Sequence, residues 1–97
     1  MKRVKNKKLT DFAKGKDCTF RAPMVCNFNP ETSVFCHVST KRMAGIGTKT
    51  HDFFGFIGCS SCHDWHEKNR YLHPDAAQWT LEAICETQGL MVEAGLL

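Results

Sequence analysis

The pattern of apolar and polar positions along the chain predicts two short strands. Residues 32–39, TSVFCHVS, are rich in β-branched and aromatic side chains and predict the first strand. Residues 53–58, FFGFIG, predict the second. Because side chains alternate along a strand, Phe35 and His37 should lie on one face of the first strand and Cys36 on the other.

Helices are predicted on either side of these strands. Residues 9–16 favour a short helix that ends near Gly15. The composition is helical from Cys62 to about Leu72, and Pro74 starts a last helix that should run to about Gly95. The residues of this last helix that we expect to face the core are Ala77, Leu81, Ile84, Gln88 and Met91. Trp79 is expected to pack there as well. Residues 41–52, with two glycines and three cations, predict a loop between the strands.

The charge is unevenly distributed over a chain of 97 residues, a length that suits one domain. All 13 lysines and arginines lie at or before Arg70, against six acids, so residues 1–70 carry +7 and residues 71–97 carry −4. Seven of the cations fall within the first 16 residues. Such a segment suits contact with a phosphate backbone, and a solvated basic tail is the alternative.

The N-terminus is basic but lacks the apolar segment of a signal peptide. We therefore expect a cytoplasmic protein whose six cysteines are reduced rather than joined in disulfides. No stretch of the sequence approaches the apolar length that crosses a bilayer, so no membrane partner is predicted.

The segment CSSCHDWHE, residues 59–67, fits three kinds of chemistry. Cys-x-x-Cys-His is the attachment motif of a c-type haem, and Cys-x-x-Cys can be a redox dithiol or half of a zinc site. Haem attachment would require export and a correctly placed sixth ligand. A redox dithiol would normally lie in a βαβ unit, which the predicted element order lacks. No haem is therefore expected.

Zinc accounts for more of the cysteines at once. Cys18 and Cys26 form an earlier pair, and with Cys59 and Cys62 they supply the four thiolates of a closed structural site. Such a site would join the start of the predicted hairpin to the start of the helix that follows it. The two remaining cysteines, Cys36 and Cys85, are expected to be buried thiols.

Two histidines remain for chemistry once zinc has taken the four cysteines. His37 lies on the first predicted strand and His63 on the helix after the second, which is the pattern of a ββα-metal nuclease. Phosphodiester hydrolysis needs an imidazole that takes a proton from water and a divalent cation that stabilises the leaving oxygen. The alternatives are a satisfied strand histidine at position 37 and a partner of a zinc thiolate at position 63.

Three segments of the sequence resemble one family. KDCTFRAPMVCNFNPETSVFCHV, GIGTKTHD and IGCSSCHDWHE resemble the YbcO family of small prophage-encoded nucleases, which belongs to the HNH or His-Me finger superfamily. The resemblance is strong over residues 9–67. It implies an α+β fold, in which a small zinc-stapled ββα-metal domain of treble-clef type carries an added C-terminal helix.

The resemblance also implies roles for individual residues. His37 corresponds to the general base, and His63 to a ligand of a catalytic Mg²⁺ or Mn²⁺ ion. Cys18, Cys26, Cys59 and Cys62 correspond to the ligands of structural zinc. Asp52 stands where many HNH enzymes have Asn, and it could orient His37 or cap the loop.

A second position departs from the HNH pattern. Many HNH enzymes have Asp or His immediately before the base, and this chain has Cys36 there. His66 and Glu67 lie three and four residues after His63, on the same predicted helix face, so either could complete the catalytic metal site. For His66 the alternative is a solvated helix histidine.

The resemblance implies DNA as the substrate and the cytoplasm of a bacterial host as the location. The loop residues expected to contact phosphates are Lys41, Arg42 and Lys49. The predicted layout of the single HNH-like domain, residues 1–97, is a basic arm at 1–17, a zinc-bound core at 18–72 and a C-terminal helix at 74–95. A non-catalytic zinc-knuckle protein that binds DNA or a phage partner is the alternative.

Overall fold

Two short antiparallel strands lie at the centre of the fold. The computed structural model describes residues 5–38 and 51–97. In it, strand β1 (Val34–His37) pairs with strand β2 (Gly55–Gly58), so that His37 lies opposite Gly55. The N–H of Val38 donates to the carbonyl of Phe54 at 2.8 Å and extends the pairing by one bond. Both strands are shorter than predicted but fall within the predicted segments.

Gly55 allows the two strands to approach closely beside His37. A Cβ atom at position 55 would overlap the carbonyl oxygen of Cys36 and the ring of Phe35. The ring of Phe35 lies 5.0 Å from that of His37, edge to face. The alternation predicted for β1 is confirmed, since Cys36 is buried in the core and points away from this pair.

The helices follow the predicted order, with shifted ends. They are α1 (Lys7–Asp11), α2 (Ser60–Asn69) and α3 (Ala76–Glu93), with a short 3₁₀ helix at Pro30–Thr32. Helix α1 begins earlier than predicted because Asn6 caps it by accepting from the N–H of Lys8 at 3.0 Å. Its predicted end at residue 16 was wrong, because only turns follow Asp11.

Helix α2 also begins before the predicted residue, because a cysteine caps it. The Sγ atom of Cys59 accepts a hydrogen bond from the N–H of Cys62 at 3.4 Å. The predicted first residue, Cys62, therefore lies in the first turn of the helix. The helix ends at Asn69, three residues before the predicted end.

Of the five residues predicted to form the core face of α3, Met91 is buried as predicted, and the other four lie one position after a buried residue. The residues that α3 buries are Ala76, Thr80, Ala83, Thr87 and Met91. Leu81, which was expected in the core, is 55% exposed. The buried positions carry mainly small or hydroxyl side chains, which let the helix approach β2 closely. Apolar periodicity alone therefore selected the neighbouring face.

A hydrogen-bonded cluster of two threonines joins three parts of the fold. The Thr19 hydroxyl donates to the carbonyl of Ile57 at 2.8 Å, and the N–H of Ile57 donates to the Thr87 hydroxyl at 3.0 Å. The two hydroxyls lie 3.1 Å apart and are buried. The segment before β1, strand β2 and helix α3 are thus fixed to one another by polar contacts in a dry environment, where such bonds are costly to lose.

The core around this cluster is aromatic. Phe20 stacks on Phe56 with ring centroids 5.0 Å apart, and Trp65 packs against Trp79 at 5.6 Å. The packing role predicted for Trp79 is confirmed. Cys36 is buried as predicted, but the same prediction for Cys85 was wrong, because Cys85 lies on the exposed side of α3. Among the described residues, no helix is long and apolar enough to span a membrane.

Candidate metal centre and histidine site

The four cysteines that were predicted to bind zinc come together in space. The Sγ atoms of Cys18, Cys26, Cys59 and Cys62 all lie within 4.8 Å of one another. Three of these residues are buried, and Cys26 is half-buried. A tetrahedral zinc with Zn–S bonds of about 2.3 Å would place its sulfurs about 3.8 Å apart. The Sγ atoms of Cys26 and Cys59 lie 3.9 Å apart, so the cluster fits a structural zinc ion.

Local backbone geometry aims N–H groups at two of these sulfurs. The N–H of Arg21 donates to Cys18 Sγ at 3.5 Å, and the N–H of Cys62 donates to Cys59 Sγ at 3.4 Å. Arg21 adopts a left-handed conformation, with φ of 46°, in the turn that achieves this. Such N–H···S bonds stabilise thiolates, which are the form that binds a metal.

The pKa values of the four thiols depend on their contacts with one another and on burial. A hydrogen bond from the Cys62 thiol lowers the pKa of Cys18, and the same bond raises the pKa of Cys62. Burial raises the pKa of Cys26. Four closely spaced thiols therefore resist losing all of their protons unless a cation compensates the charge, and a divalent metal ion supplies that compensation.

An ion pair joins the cysteine cluster to the last helix. The Arg21 guanidinium donates to both carboxylate oxygens of Glu86, at 2.9 and 2.6 Å, and also to the carbonyl of Cys18 at 3.1 Å. The hydrogen bonds from Arg21 lower the pKa of Glu86. This contact holds the turn between Cys18 and Cys26 against α3. No local sequence pattern indicates it, since the two residues are 65 positions apart.

His37 pairs with Asp52, the two residues that the sequence assigned to the catalytic side of the site. The Nε2 atom of His37 lies 2.9 Å from Oδ1 of Asp52. The Asp52 side chain is 7% exposed, whereas that of His37 is 28% exposed. The imidazole is therefore held from within the protein and still reaches the surface.

A third residue, which the sequence did not single out, contacts the same carboxylate. The backbone N–H of Asn6 donates to Oδ2 of Asp52 at 2.6 Å. Asn6 is also the cap of α1, whose buried residue Leu9 anchors the helix. Because the donor is a backbone amide, the side chain at position 6 gives no indication of this contact.

Helix α2 separates the candidate metal ligands onto two faces. His63 and Glu67 are about half exposed, and Nε2 of His63 lies 3.9 Å from Oε1 of Glu67. His66 is buried against the rings of Phe20 and Phe56, at 5.7 and 5.1 Å. Within residues 5–38 and 51–97, Nδ1 of His66 has no hydrogen-bond partner. Burial lowers the pKa of His66 to about 4, so its ring is neutral near pH 7.

The cysteines form the one group of three or more metal-ligating side chains in the part of the chain that the structure describes. Among these described residues, His63 and Glu67 therefore have no third ligating side chain beside them. The three predicted DNA contacts, Lys41, Arg42 and Lys49, lie outside the described residues. Of the predicted site, the structure thus brings together the four cysteines, His37 with Asp52, and His63 with Glu67.

The fold and the cluster define a small α+β protein with four cysteines placed to hold a metal ion and a carboxylate-bound histidine. A family model described as "Putative nuclease YbcO" matches residues 7–96. The chain belongs to this YbcO family, as its sequence motifs indicated. Its placement in the HNH superfamily stays a prediction.

Relatives of the chain occur in a bacterium and in a phage. The chain is 37% identical over 87 residues to "Putative nuclease YbcO" of Escherichia coli K12, covering 88% of this chain and 91% of the relative. A relative from Enterobacteria phage 82, "Putative nuclease ybcO", matches with the same identity and coverage. Among solved structures, a "putative bacteriophage protein from Escherichia coli str. K-12 substr. MG1655" is similar, with a TM-score of 0.67 and 33% identity. The match covers 90% of this chain and 99% of that one.

Proposed function

We propose that this protein is a metal-dependent DNA endonuclease of the HNH or His-Me finger type. The observation that carries the proposal is the contact between His37 and Asp52, at 2.9 Å. A partly exposed imidazole that is held from behind by a buried carboxylate is the usual arrangement of a general base. Membership in a family of proteins described as nucleases supports the same reaction class.

The contact with Asp52 assigns a role to each nitrogen of His37. An ionised carboxylate only accepts hydrogen bonds, so Nε2 of His37 carries the proton that it shares with Oδ1 of Asp52. In the neutral ring the lone pair is then on Nδ1. Nδ1 takes a proton from a water molecule as the water oxygen bonds to phosphorus and the bond to the 3′-oxygen breaks.

Helix α2 offers a pair of ligands for the catalytic ion. Octahedral Mg²⁺ with bonds of about 2.1 Å places neighbouring ligand atoms about 3.0 Å apart. His63 Nε2 and Glu67 Oε1 lie 3.9 Å apart, and these two half-exposed side chains would close by about 1 Å to bind one ion. A Mg²⁺ or Mn²⁺ ion bound there would neutralise charge on the phosphate and on the leaving oxygen. His66 is left out of the ligand set because its side chain is buried in the core.

Structural zinc has a separate task in this proposal. Cys62 immediately precedes His63, and Cys59 caps the helix that carries it. Zinc held by the four cysteines would fix the first turn of α2 against the turn at Cys18. The position of His63 would then depend on zinc, although zinc would take no part in hydrolysis.

The substrate proposed is DNA, because the first part of the chain is cationic. Lys5, Lys7 and Lys8 are exposed around the start of α1, beside the residue that contacts Asp52. Lysines at this place can attract phosphates close to His37 without reading sequence. Lys41, Arg42 and Lys49 are proposed to add further phosphate contacts.

One observation favours a second candidate function. In the described part of the chain, no third ligating side chain joins His63 and Glu67. A site with two protein ligands relies on phosphate and water for the remainder, as Mg²⁺ sites often do. Without such a site, the protein would be a non-catalytic zinc-knuckle protein that binds DNA or a phage partner.

A plasmid-nicking assay separates these two functions. Purified zinc-loaded protein is incubated with supercoiled plasmid, with and without Mg²⁺ or Mn²⁺, beside His37→Ala and Asp52→Asn. We expect nicking that requires the divalent ion, its loss in His37→Ala, and a reduction of about 100-fold or more in Asp52→Asn, because the wrong tautomer is then allowed. Asp75→Asn, at an exposed position, is the matched control and should retain full activity.

Binding is measured in parallel by gel shift with the same variants. Full activity in His37→Ala would remove His37 from the mechanism. Tight DNA binding without cleavage in any divalent ion would support the zinc-knuckle alternative.

A further inference from the structure

The carboxylate of Asp52 joins three segments that are distant in sequence. One oxygen contacts His37 at the end of β1, and the other accepts a bond from the backbone of Asn6, 46 residues earlier in the chain. The distance of 2.6 Å between Asn6 N and Asp52 Oδ2 is typical of a strong, charge-assisted bond. Asp52 is thus held on the side opposite the imidazole.

The Asn6 amide is itself held in place by the cap of α1. The Asn6 side chain accepts from the N–H of Lys8 at 3.0 Å, and the Asn6 carbonyl accepts from the N–H of Leu9 at 3.0 Å. With both of its other polar groups used by the helix, the Asn6 N–H is directed outward to Asp52. Leu9 and Ala13 are buried and anchor α1 to the rest of the fold.

A second anchor lies at the end of the same segment. The hydroxyl of Ser33, directly before β1, donates to the carbonyl of Lys16 at 2.6 Å. The segment from Asn6 to Lys16 is therefore attached at both ends to the parts of the fold that carry His37 and Asp52. Its start cannot move without releasing one oxygen of Asp52.

We propose that Asn6 is a positioning residue for the general base, and that it acts through its backbone N–H. This bond fixes the Asp52 carboxylate so that Oδ1 accepts from Nε2 of His37 and keeps the ring in the tautomer whose lone pair is on Nδ1. Asn6 touches neither substrate nor metal. The proposal rests on the proposed function for its catalytic part, because it concerns the same histidine.

The proposal has a direct physical consequence for His37. When the Asn6 N–H is removed, Oδ2 of Asp52 loses this donor and the carboxylate is held less firmly. Nε2 then loses its fixed acceptor, and the neutral imidazole becomes a mixture of its two tautomers. A fraction of molecules has the proton on Nδ1 and cannot accept one from water. The expected loss of turnover is on the order of tenfold.

The test replaces one amide by an ester, so that no side chain changes. A synthetic segment of residues 1–17 is ligated to residues 18–97 through Cys18, and the full chain is folded with zinc. The first variant carries an ester in place of the Asn6 N–H. The matched control carries an ester at Phe12, which removes one helical bond of α1, from the N–H of Phe12 to the carbonyl of Lys8, and leaves Asp52 untouched.

Two measurements are made on each protein. Nitrogen-15 NMR of the His37 ring reports its tautomer without any reaction, and the nicking assay reports kcat and KM. We expect the Asn6 ester to populate the Nδ1–H tautomer and to lower kcat about tenfold with KM unchanged. The Phe12 ester should match the wild type in both measurements.

The outcomes separate this proposal from the proposed function. A tautomer shift in a protein that cuts no DNA would support the positioning contact and refute the nuclease. An unshifted His37 ring in the Asn6 ester would overturn the positioning role, whatever the activity. An equal shift in the Phe12 ester would also overturn it, because the effect would then follow from weakening α1 in general.

Discussion

Glu67 lies one turn after His63 on α2, with its Oε1 atom 3.9 Å from the imidazole Nε2 and both side chains open to solvent. This separation is too long for a hydrogen bond and about 1 Å longer than the spacing of neighbouring ligand atoms on Mg²⁺, so the two side chains would have to close slightly to bind one ion. In the proposed mechanism, the outer face of α2, rather than its buried face, would hold the catalytic ion between these two half-exposed side chains.

Glu67→Gln should weaken the binding of the catalytic ion, because the neutral amide is a poorer ligand for Mg²⁺. We expect the concentration of Mg²⁺ that gives half-maximal nicking to rise about tenfold. Bound zinc and the melting temperature should not change. Glu93→Gln, at the exposed end of α3, is the matched control. An unchanged Mg²⁺ requirement would remove Glu67 from the metal site.

His66→Phe distinguishes a core histidine from a metal ligand. The imidazole is 1% exposed, and its Nδ1 has no hydrogen-bond partner among the described residues, so an aromatic ring without polar atoms should suit the site at least as well. We expect unfolding free energy equal to the wild type or higher by about 1 kcal/mol, and full nicking activity. Lost activity in a stably folded variant would return His66 to the ligand set.

Cys62→Ser should remove the structural metal ion. Its Sγ atom belongs to the four-sulfur cluster, and a serine hydroxyl is a poor ligand for zinc. We expect metal analysis to fall from one zinc per chain to much less, together with loss of cooperative thermal unfolding, because metal binding is part of the folding free energy. Cys85→Ser, at the exposed cysteine of α3, should retain zinc and stability. Zinc retained in Cys62→Ser would contradict the assigned ligand set.

Thr87→Val tests the buried threonine cluster. The substitution keeps the shape of the side chain, leaves the N–H of Ile57 without this acceptor and removes the bond between the two threonine hydroxyls. We expect a loss of about 1–3 kcal/mol of unfolding free energy in chemical denaturation. Thr80→Val is the control on the same helix, because the Thr80 hydroxyl donates to the carbonyl of Ala76, within α3, and its loss should cost less. Equal costs would mean that the cluster adds nothing beyond burial.

The residues found from the sequence are those whose side chains can bind a metal ion or transfer a proton. The sequence itself shows four cysteines at ligand spacing, a histidine on a predicted strand and a histidine directly after Cys-x-x-Cys. The structure brings the four cysteines into one cluster. Asp52 was also found, because it stands at a position that the family motif marks. Its contact with His37 could be expected, although its distance could not.

Two features could not be found from the sequence, for different physical reasons. The donor at Asn6 is a backbone amide, which every residue except proline possesses. The identity of the residue at this position therefore does not predict the contact with Asp52. The buried face of α3 is made by Thr80, Thr87, two alanines and Met91, while Leu81 is exposed. The periodicity of apolar residues predicts that the more hydrophobic face is buried. Here the buried face is instead the one that packs closely against β2 and forms hydrogen bonds with it.

The close approach of the strands at Gly55 bears on which substitutions the protein can accept. A methyl group at this position would meet the Cys36 carbonyl and the Phe35 ring and would force β2 away from the strand that carries His37. In a library of all single variants selected for nuclease activity, position 55 should therefore accept glycine alone, although glycine has no chemistry to offer. If no other residue is accepted at position 55, the reason would be the close spacing of the two strands. It would not indicate a catalytic side chain at this position.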